Sequence, residues 1–228
     1  MYLIIIIAFT LIGMAVSSRL KSKFREYSEV PTSSGLSGAE IAQKMLNDNR
    51  IYDVKITSVE GELTDHYNPE NKTINLSREV YSGRSVSAAA VAAHETGHAL
   101  QHATAYSMLQ FRSAMVPIVS ISSKLMNVIF ILGFVGVFAM GFGQTLFLLI
   151  IVAQAVITLF SLVTLPVEYD ASNRALAWLN DSGIARGSEY DKAADALKWA
   201  ARTYLVATLA AVSQLLYFVL SFMGGSDD

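Results

Sequence analysis

Three of the four histidines of this chain fall in one short run, Ala92-Ala93-His94-Glu95-Thr96-Gly97-His98-Ala99-Leu100-Gln101-His102. His94 and His98 are four residues apart, so on a helix both rings leave nearly the same face and can reach one metal ion. Glu95 lies one residue round the helix, where it can touch a water on that metal without being a ligand itself. This is the H-E-x-x-H arrangement. A zinc ion would lower the pKa of such a water to roughly 7, and the Glu95 carboxylate would accept its proton as it attacks a carbonyl carbon. With histidine this scarce, a chance match is on the order of 1 in 100 or less. The bland alternative is a surface helix with incidental histidines. Against it, a polar cluster in the alanine-rich run from Ser87 to Ala93 needs a partner of some kind.

A hydrolytic zinc site needs a third protein ligand and an open fourth position. His66, His102 and a carboxylate elsewhere are the candidates. His102 rises about 6 Å beyond His98 and rotates off the ligand face, which suits a supporting or substrate-side role better than coordination. His66 stands in a strand candidate beside a turn, as surface histidines do. Glu168 is the better candidate, because it is the first charge after a long apolar stretch and the residues after it, Tyr169 to Ala175, continue a helix. An interfacial anchor is its ordinary reading. Two histidines with a glutamate from a later helix is the gluzincin arrangement.

The elements that must position these residues are set by an uneven composition. Of the 228 residues, 53% are hydrophobic and 16% charged, well away from an ordinary soluble domain. The net charge of -2 leaves no basic surplus for phosphates, so no nucleic-acid partner is expected. There is no cysteine, hence no disulfide, thiolate ligand or thiol nucleophile. Three stretches carry no charge at all: Met1 to Ser18, Leu125 to Val167 and Thr203 to Met223. The first and last are each long enough for one span. The middle one suits two helices joined at Gly141-Phe142-Gly143-Gln144. A cleaved signal peptide would place positive charge before its apolar core, whereas Arg19, Lys21, Lys23 and Arg25 come after it here. The first stretch therefore reads as an anchor with its N-terminus outside. Every lysine and arginine falls in 19–124 or 168–202. By the positive-inside rule both segments are cytoplasmic, on one side of a multi-pass plasma-membrane protein.

Between the spans, Ser37-Gly38-Ala39-Glu40 is a capping box opening a helix through Leu46. Residues 52–59 alternate as a half-buried strand, and shorter strand candidates at 63–67 and 72–76 flank the turn Asn68-Pro69-Glu70-Asn71. The segment 103–124, apolar but interrupted by Arg112, Pro117 and Lys124, reads as an interfacial helix or one entering the bilayer. The expected fold is a mainly α membrane protein with about four transmembrane helices and a small zincin-like α+β catalytic domain carrying a short antiparallel sheet. Its parts are an anchor at 1–18, a catalytic segment at 19–124, a transmembrane hairpin at 125–167, a cytoplasmic helical segment at 168–202 and a last span at 203–223.

Along nearly its whole length the chain resembles the YugP-like family of neutral membrane zinc metallopeptidases. The residues that carry this are Ser37 to Glu40, the run from Tyr67-Asn68-Pro69 to Leu76-Ser77, Ala92 to His102, and Pro166-Val167-Glu168-Tyr169-Asp170-Ala171. More distantly it is similar to the HtpX heat-shock proteases and the CaaX prenyl proteases, which share H-E-x-x-H and a later E-[FY]-x-A-D motif whose glutamate binds zinc. The resemblance implies a zinc cofactor, Glu168 as third ligand, and peptide or protein substrates that include membrane proteins. Where the distant relatives carry the aspartate of that motif, this chain has Ser172. Either Ser172 supports a ligand histidine more weakly, or Asp170 or another carboxylate does so. In zincins an edge strand beside the motif helix pairs with extended substrate, and Thr73, Ile74 and Asn75 stand in the expected order for that. Tyr169, Arg174 and Tyr190 are the polar residues near enough in sequence to be considered as oxyanion donors. The competing reading is a zinc-binding membrane scaffold or regulator without turnover. A regulatory membrane partner that holds the enzyme inactive would look the same in a simple assay. A transporter is disfavoured, because the later apolar stretches hold no charge to mark an ion path.

Overall fold

The structure, a computed structural model, describes residues 1–134 and 143–224. Among the described residues, seven helices and three strands run in the order α1 (Tyr2–Ser28), α2 (Gly38–Asp48), β1 (Lys55–Val59), β2 (His66–Asn68), β3 (Thr73–Ser77), α3 (Arg78–Ser82), α4 (Val86–Ala103), α5 (Ser107–Phe134), α6 (Gly143–Asp181) and α7 (Ser188–Gly224). Four of these, α1, α5, α6 and α7, are long and apolar enough to cross a membrane, as the charge-free stretches lead one to expect. The turn expected at Gly141 to Gln144 begins outside the described residues.

The chain divides into two compact units. One comprises Ala15–Leu109 and Val167–Thr203, and its core is built on a few well-patterned segments. The capping box forms as read: the Ser37 Oγ accepts from the Glu40 amide at 3.3 Å, and the Glu40 carboxylate accepts from the Ser37 amide at 2.7 Å. The helix so started, α2, buries Ile41, Ala42, Met45 and Leu46 completely. Each large apolar side chain buried in this way stabilises by about 1.5–3 kcal/mol. The motif helix α4 begins at Ser85, whose Oγ caps the amide of Ala88. Its alanines 88, 89, 90, 92 and 93 are buried, and their small side chains let other elements come close. In α6 the residues Val167, Ala171, Ala175 and Leu179, each four apart, are wholly buried and form one stripe of the helix.

The sheet has the order β1-β3-β2. The β2–β3 hairpin is antiparallel, around the turn at Asn68 to Asn71, with Tyr67 opposite Ile74. The sheet as a whole is mixed rather than purely antiparallel, because β1 pairs with β3 in parallel, Lys55 opposite Thr73 through Val59 opposite Ser77. The connection 60–65 carries the chain past the position of β3 before the hairpin turns back into it.

The other unit comprises Met1–Met14, Gln110–Pro166 and Tyr204–Asp228. Its outer surface is apolar, with Leu3, Ile4, Ile121, Ile131 and Leu220 among the exposed side chains, as a lipid-facing surface must be. Inside it, the Gln154 amide and the Thr158 hydroxyl both donate to the carbonyl of Ala211, at 3.2 and 3.1 Å. Most of the segment 103–124 is helical, and it is continuous with the apolar stretch that follows. From Ser107 a single helix runs through Pro117 and on to Phe134. A proline removes one helical hydrogen bond, and in a long apolar helix that loss does not end the element.

Candidate metal centre

The two motif histidines stand as their spacing requires, with rings edge to face and centroids 4.8 Å apart. Glu168 of α6 meets them. Its Oε2 is 3.3 Å from His94 Nε2 and 3.5 Å from His98 Nε2, and the three candidate ligand atoms all lie within 4.8 Å of one another. Tetrahedral zinc with bonds of 2.0–2.1 Å spaces its ligand atoms by roughly 3.3 Å. The carboxylate-to-imidazole distances therefore fit a zinc ion, and two imidazoles with one carboxylate is a donor set of the hydrolytic class. His98 and Glu168 are buried and His94 nearly so, which keeps bulk water from competing for them.

What lets α6 come this close is the glycine of the motif. A Cβ on Gly97 would lie 2.6 Å from the carbonyl oxygen of Ala171, well inside van der Waals contact. The two backbones touch there, and that contact places Glu168 and Ser172, on either side of Ala171, against the histidine face. Thr96, the other intervening residue, is fully buried and returns its hydroxyl to the carbonyl of Ala92 at 2.7 Å.

Each histidine is held from behind through Nδ1. Ser172 Oγ is 3.1 Å from His94 Nδ1. Behind His98 stands Gln101, with Oε1 2.9 Å from His98 Nδ1. Gln101 has no counterpart among the candidates drawn from sequence. Its only signal there is a polar side chain three residues after a ligand, on the same face of a buried helix. Asp170 does not take the place behind a histidine. It accepts from Gln101 Nε2 at 2.8 Å and from Arg174 Nε at 2.6 Å.

Glu95 is buried and turned toward the sheet, where its Oε2 accepts a 3.0 Å hydrogen bond from the backbone amide of Tyr67. The Tyr67 hydroxyl lies 2.7 Å from His102 Nδ1. Burial, with the charge of Asp53, pushes that phenol up to about 12, so it keeps its hydrogen. His102 is thus engaged with Tyr67 and is not among the converging ligand atoms. His66 is exposed, with Nδ1 beside the carbonyl of Thr64.

Thr73, Ile74 and Asn75 do not form an edge. They lie on β3, the middle strand, paired to β1 on one side and β2 on the other, so their backbone cannot add a substrate strand. The edge nearer the motif belongs to β2, and the amide of Tyr67 that meets Glu95 projects from it. Arg174 lies against Asp170 and the ring of Tyr106, which accounts for its charge without an oxyanion. Tyr169 is 42% exposed, in contrast to buried Glu168 beside it, and Tyr190 stands in the first turn of α7.

A sequence model of the family described as "Putative neutral zinc metallopeptidase" matches residues 2–223. The "Putative membrane protease YugP" of Bacillus subtilis strain 168 is 41% identical over 210 residues, which is 92% of this chain and 91% of that protein. No solved structure matches.

Proposed function

The chain belongs to the neutral zinc metallopeptidase family, and from that premise we propose that it is a membrane-embedded endopeptidase of the gluzincin type, with its site at the cytoplasmic membrane surface. In this reading His94, His98 and Glu168 hold one zinc ion and Glu95 is the general base. The observation that carries it is the convergence of those three side chains, with ligand atoms within 4.8 Å of one another and the Glu168 oxygen 3.3 and 3.5 Å from the two imidazoles, one residue from a buried carboxylate. Zinc bound there supplies Lewis acidity, polarising the scissile carbonyl and making a water nucleophilic near neutral pH. Glu95 removes a proton from the attacking water and returns it to the leaving amine, so that one C–N bond breaks and one C–O bond forms. The Tyr67 amide holds the Glu95 side chain in place for both transfers. Ser172 and Gln101 keep the imidazole Nε2 atoms aimed at the metal.

Substrate is expected on the outer edge of β2. The Tyr67 N–H points away from β3 and is taken by Glu95, so an extended peptide added there would pair with the Tyr67 carbonyl and run past Glu95. Such backbone pairing reads any extended segment and brings little selectivity, which suits peptide or protein substrates, membrane proteins among them. The cytoplasmic assignment rests on the lysines and arginines, all of which fall in 19–124 or 168–202.

The test is purification in detergent, zinc analysis, and hydrolysis of casein or a fluorogenic peptide by wild type and Glu95→Gln. One zinc per chain in both proteins, with hydrolysis reduced by about 10²–10⁴ in the variant, is the expected result. Unchanged hydrolysis overturns the assignment of Glu95. Tight zinc with no hydrolysis, even with membrane extract added, favours a non-catalytic scaffold. Because the chain has no cysteine, the variant Glu70→Cys, at an exposed position, reports the side of the membrane by its access to an impermeant thiol label.

A further inference from the structure

Gln101 is fully buried, and both of its amide atoms are committed. Nε2 donates to the carbonyl of Val167 at 2.8 Å and to Asp170 Oδ2 at 2.8 Å. The first of these atoms can only accept, and the second is a carboxylate oxygen already paired with Arg174 at 2.6 Å. Turning the amide over would set Oε1 against two oxygens, so its orientation is fixed by its partners. Oε1 is then obliged to face His98 Nδ1, and an amide oxygen can only accept. His98 must therefore carry its hydrogen on Nδ1, so that Nε2 is the nitrogen that faces Glu168 and the metal position.

His94 is held differently. The Ser172 hydroxyl can give or take a hydrogen, so the contact at 3.1 Å orients the His94 ring without dictating which nitrogen is bare. The amide on the His98 side is also braced on all sides. The backbone carbonyl of Gln101 accepts from the Tyr106 amide at 2.9 Å, the Arg174 guanidinium lies 5.8 Å from the Tyr106 ring centre, and Arg174 returns to Asp170. The chain of contacts closes on itself. Val167, moreover, immediately precedes Glu168, so the bond to its carbonyl sets the height of α6 at the third ligand.

We infer that Gln101 is the positioning residue of the metal centre: it locks His98 as the Nδ1–H form and holds α6 in the register at which Glu168 meets the same ion. The inference rests on the metal-centre reading, but it concerns a residue that neither touches metal nor reacts. It also assigns Asp170 and Arg174 the task of holding the amide, in place of direct contact with a histidine.

The test uses the full chain in detergent and zinc alone as the probe. Gln101→Met keeps the side-chain volume while removing both the acceptor and the donor, and should lower zinc affinity by about 10–100-fold in chelator competition. Affinity within twofold of wild type for Gln101→Met overturns the inference. A separate readout is the ¹⁵N spectrum of histidine-labelled wild type, recorded with chelator present, in which His98 should carry hydrogen on Nδ1. A bare Nδ1 overturns the inference even if Gln101→Met fails to fold. Failure of wild type to bind zinc would instead strike the metal-centre reading and leave this spectrum to decide the role of Gln101.

Discussion

Helix α6 uses its polar side chains in two ways along its length. Between residues 150 and 164, Gln154 and Thr158 give hydrogens to the carbonyl of Ala211, and Thr164 returns its own to Phe160. These are saturating contacts, which spare polar groups from standing alone in an apolar region. From Val167 to Arg174 the same helix carries Glu168, Asp170, Ser172 and Arg174, and there the contacts run side chain to side chain toward two imidazoles. The first set satisfies groups and the second aims them. Losing a satisfying contact costs stability in small amounts, whereas losing an aiming contact costs ligand geometry while the fold stays in place.

Substitutions can break or sharpen that contrast. The largest effect belongs to Glu168→Gln, which keeps shape but removes the one ligand charge. Zinc affinity should drop by more than about 100-fold, beyond the range that outer partners reach, and equilibrium dialysis with a chelator measures it. Next is Gly97→Ala. Its Cβ would collide with the Ala171 carbonyl, so overpacking of about 1–3 kcal/mol should come with loss of bound zinc, read from thermal unfolding in detergent and metal content together. A full zinc complement in that variant would mean that α4 and α6 tolerate separation at this point. Ser172→Ala should lower zinc affinity by about tenfold, the lower end for a removed outer partner, while Ser172→Asp should raise it by setting a carboxylate behind His94. The smallest effect is Gln154→Leu, expected to cost about 0.6 kcal/mol in unfolding assays with no change in zinc content. Loss of zinc there would erase the distinction between the two stretches.

The parts of the molecule legible in sequence are those governed by local pattern. The Ser37–Glu40 box, the charge-free spans, the hairpin around Asn68 to Asn71 and the ligand face of His94 and His98 each come from spacing within a few residues. Glu168 was within reach because charge distribution placed it on the side of His94. Gln101 was not, since its role depends on the Val167 carbonyl and the Asp170 carboxylate, and no short-range rule joins those positions. The middle place of β3 was hidden for a similar reason. Strand alternation reports which face is buried but says nothing of which neighbour sits at each edge.

The origin of the three proposed ligands has a mechanical consequence. His94 and His98 come from α4 and Glu168 from α6, and the chain between them includes all of α5 and most of the apolar part of α6. A metal ion joining them closes a loop of about 70 residues, as a covalent bridge would in a chain that has no cysteine to make one. By the arithmetic for cross-links, closing a loop of that size removes on the order of 4 kcal/mol of freedom from the unfolded chain. Zinc here would then be a rivet as well as a reagent, tying the catalytic helix to a membrane span and making stability and readiness for catalysis rise and fall with one occupancy.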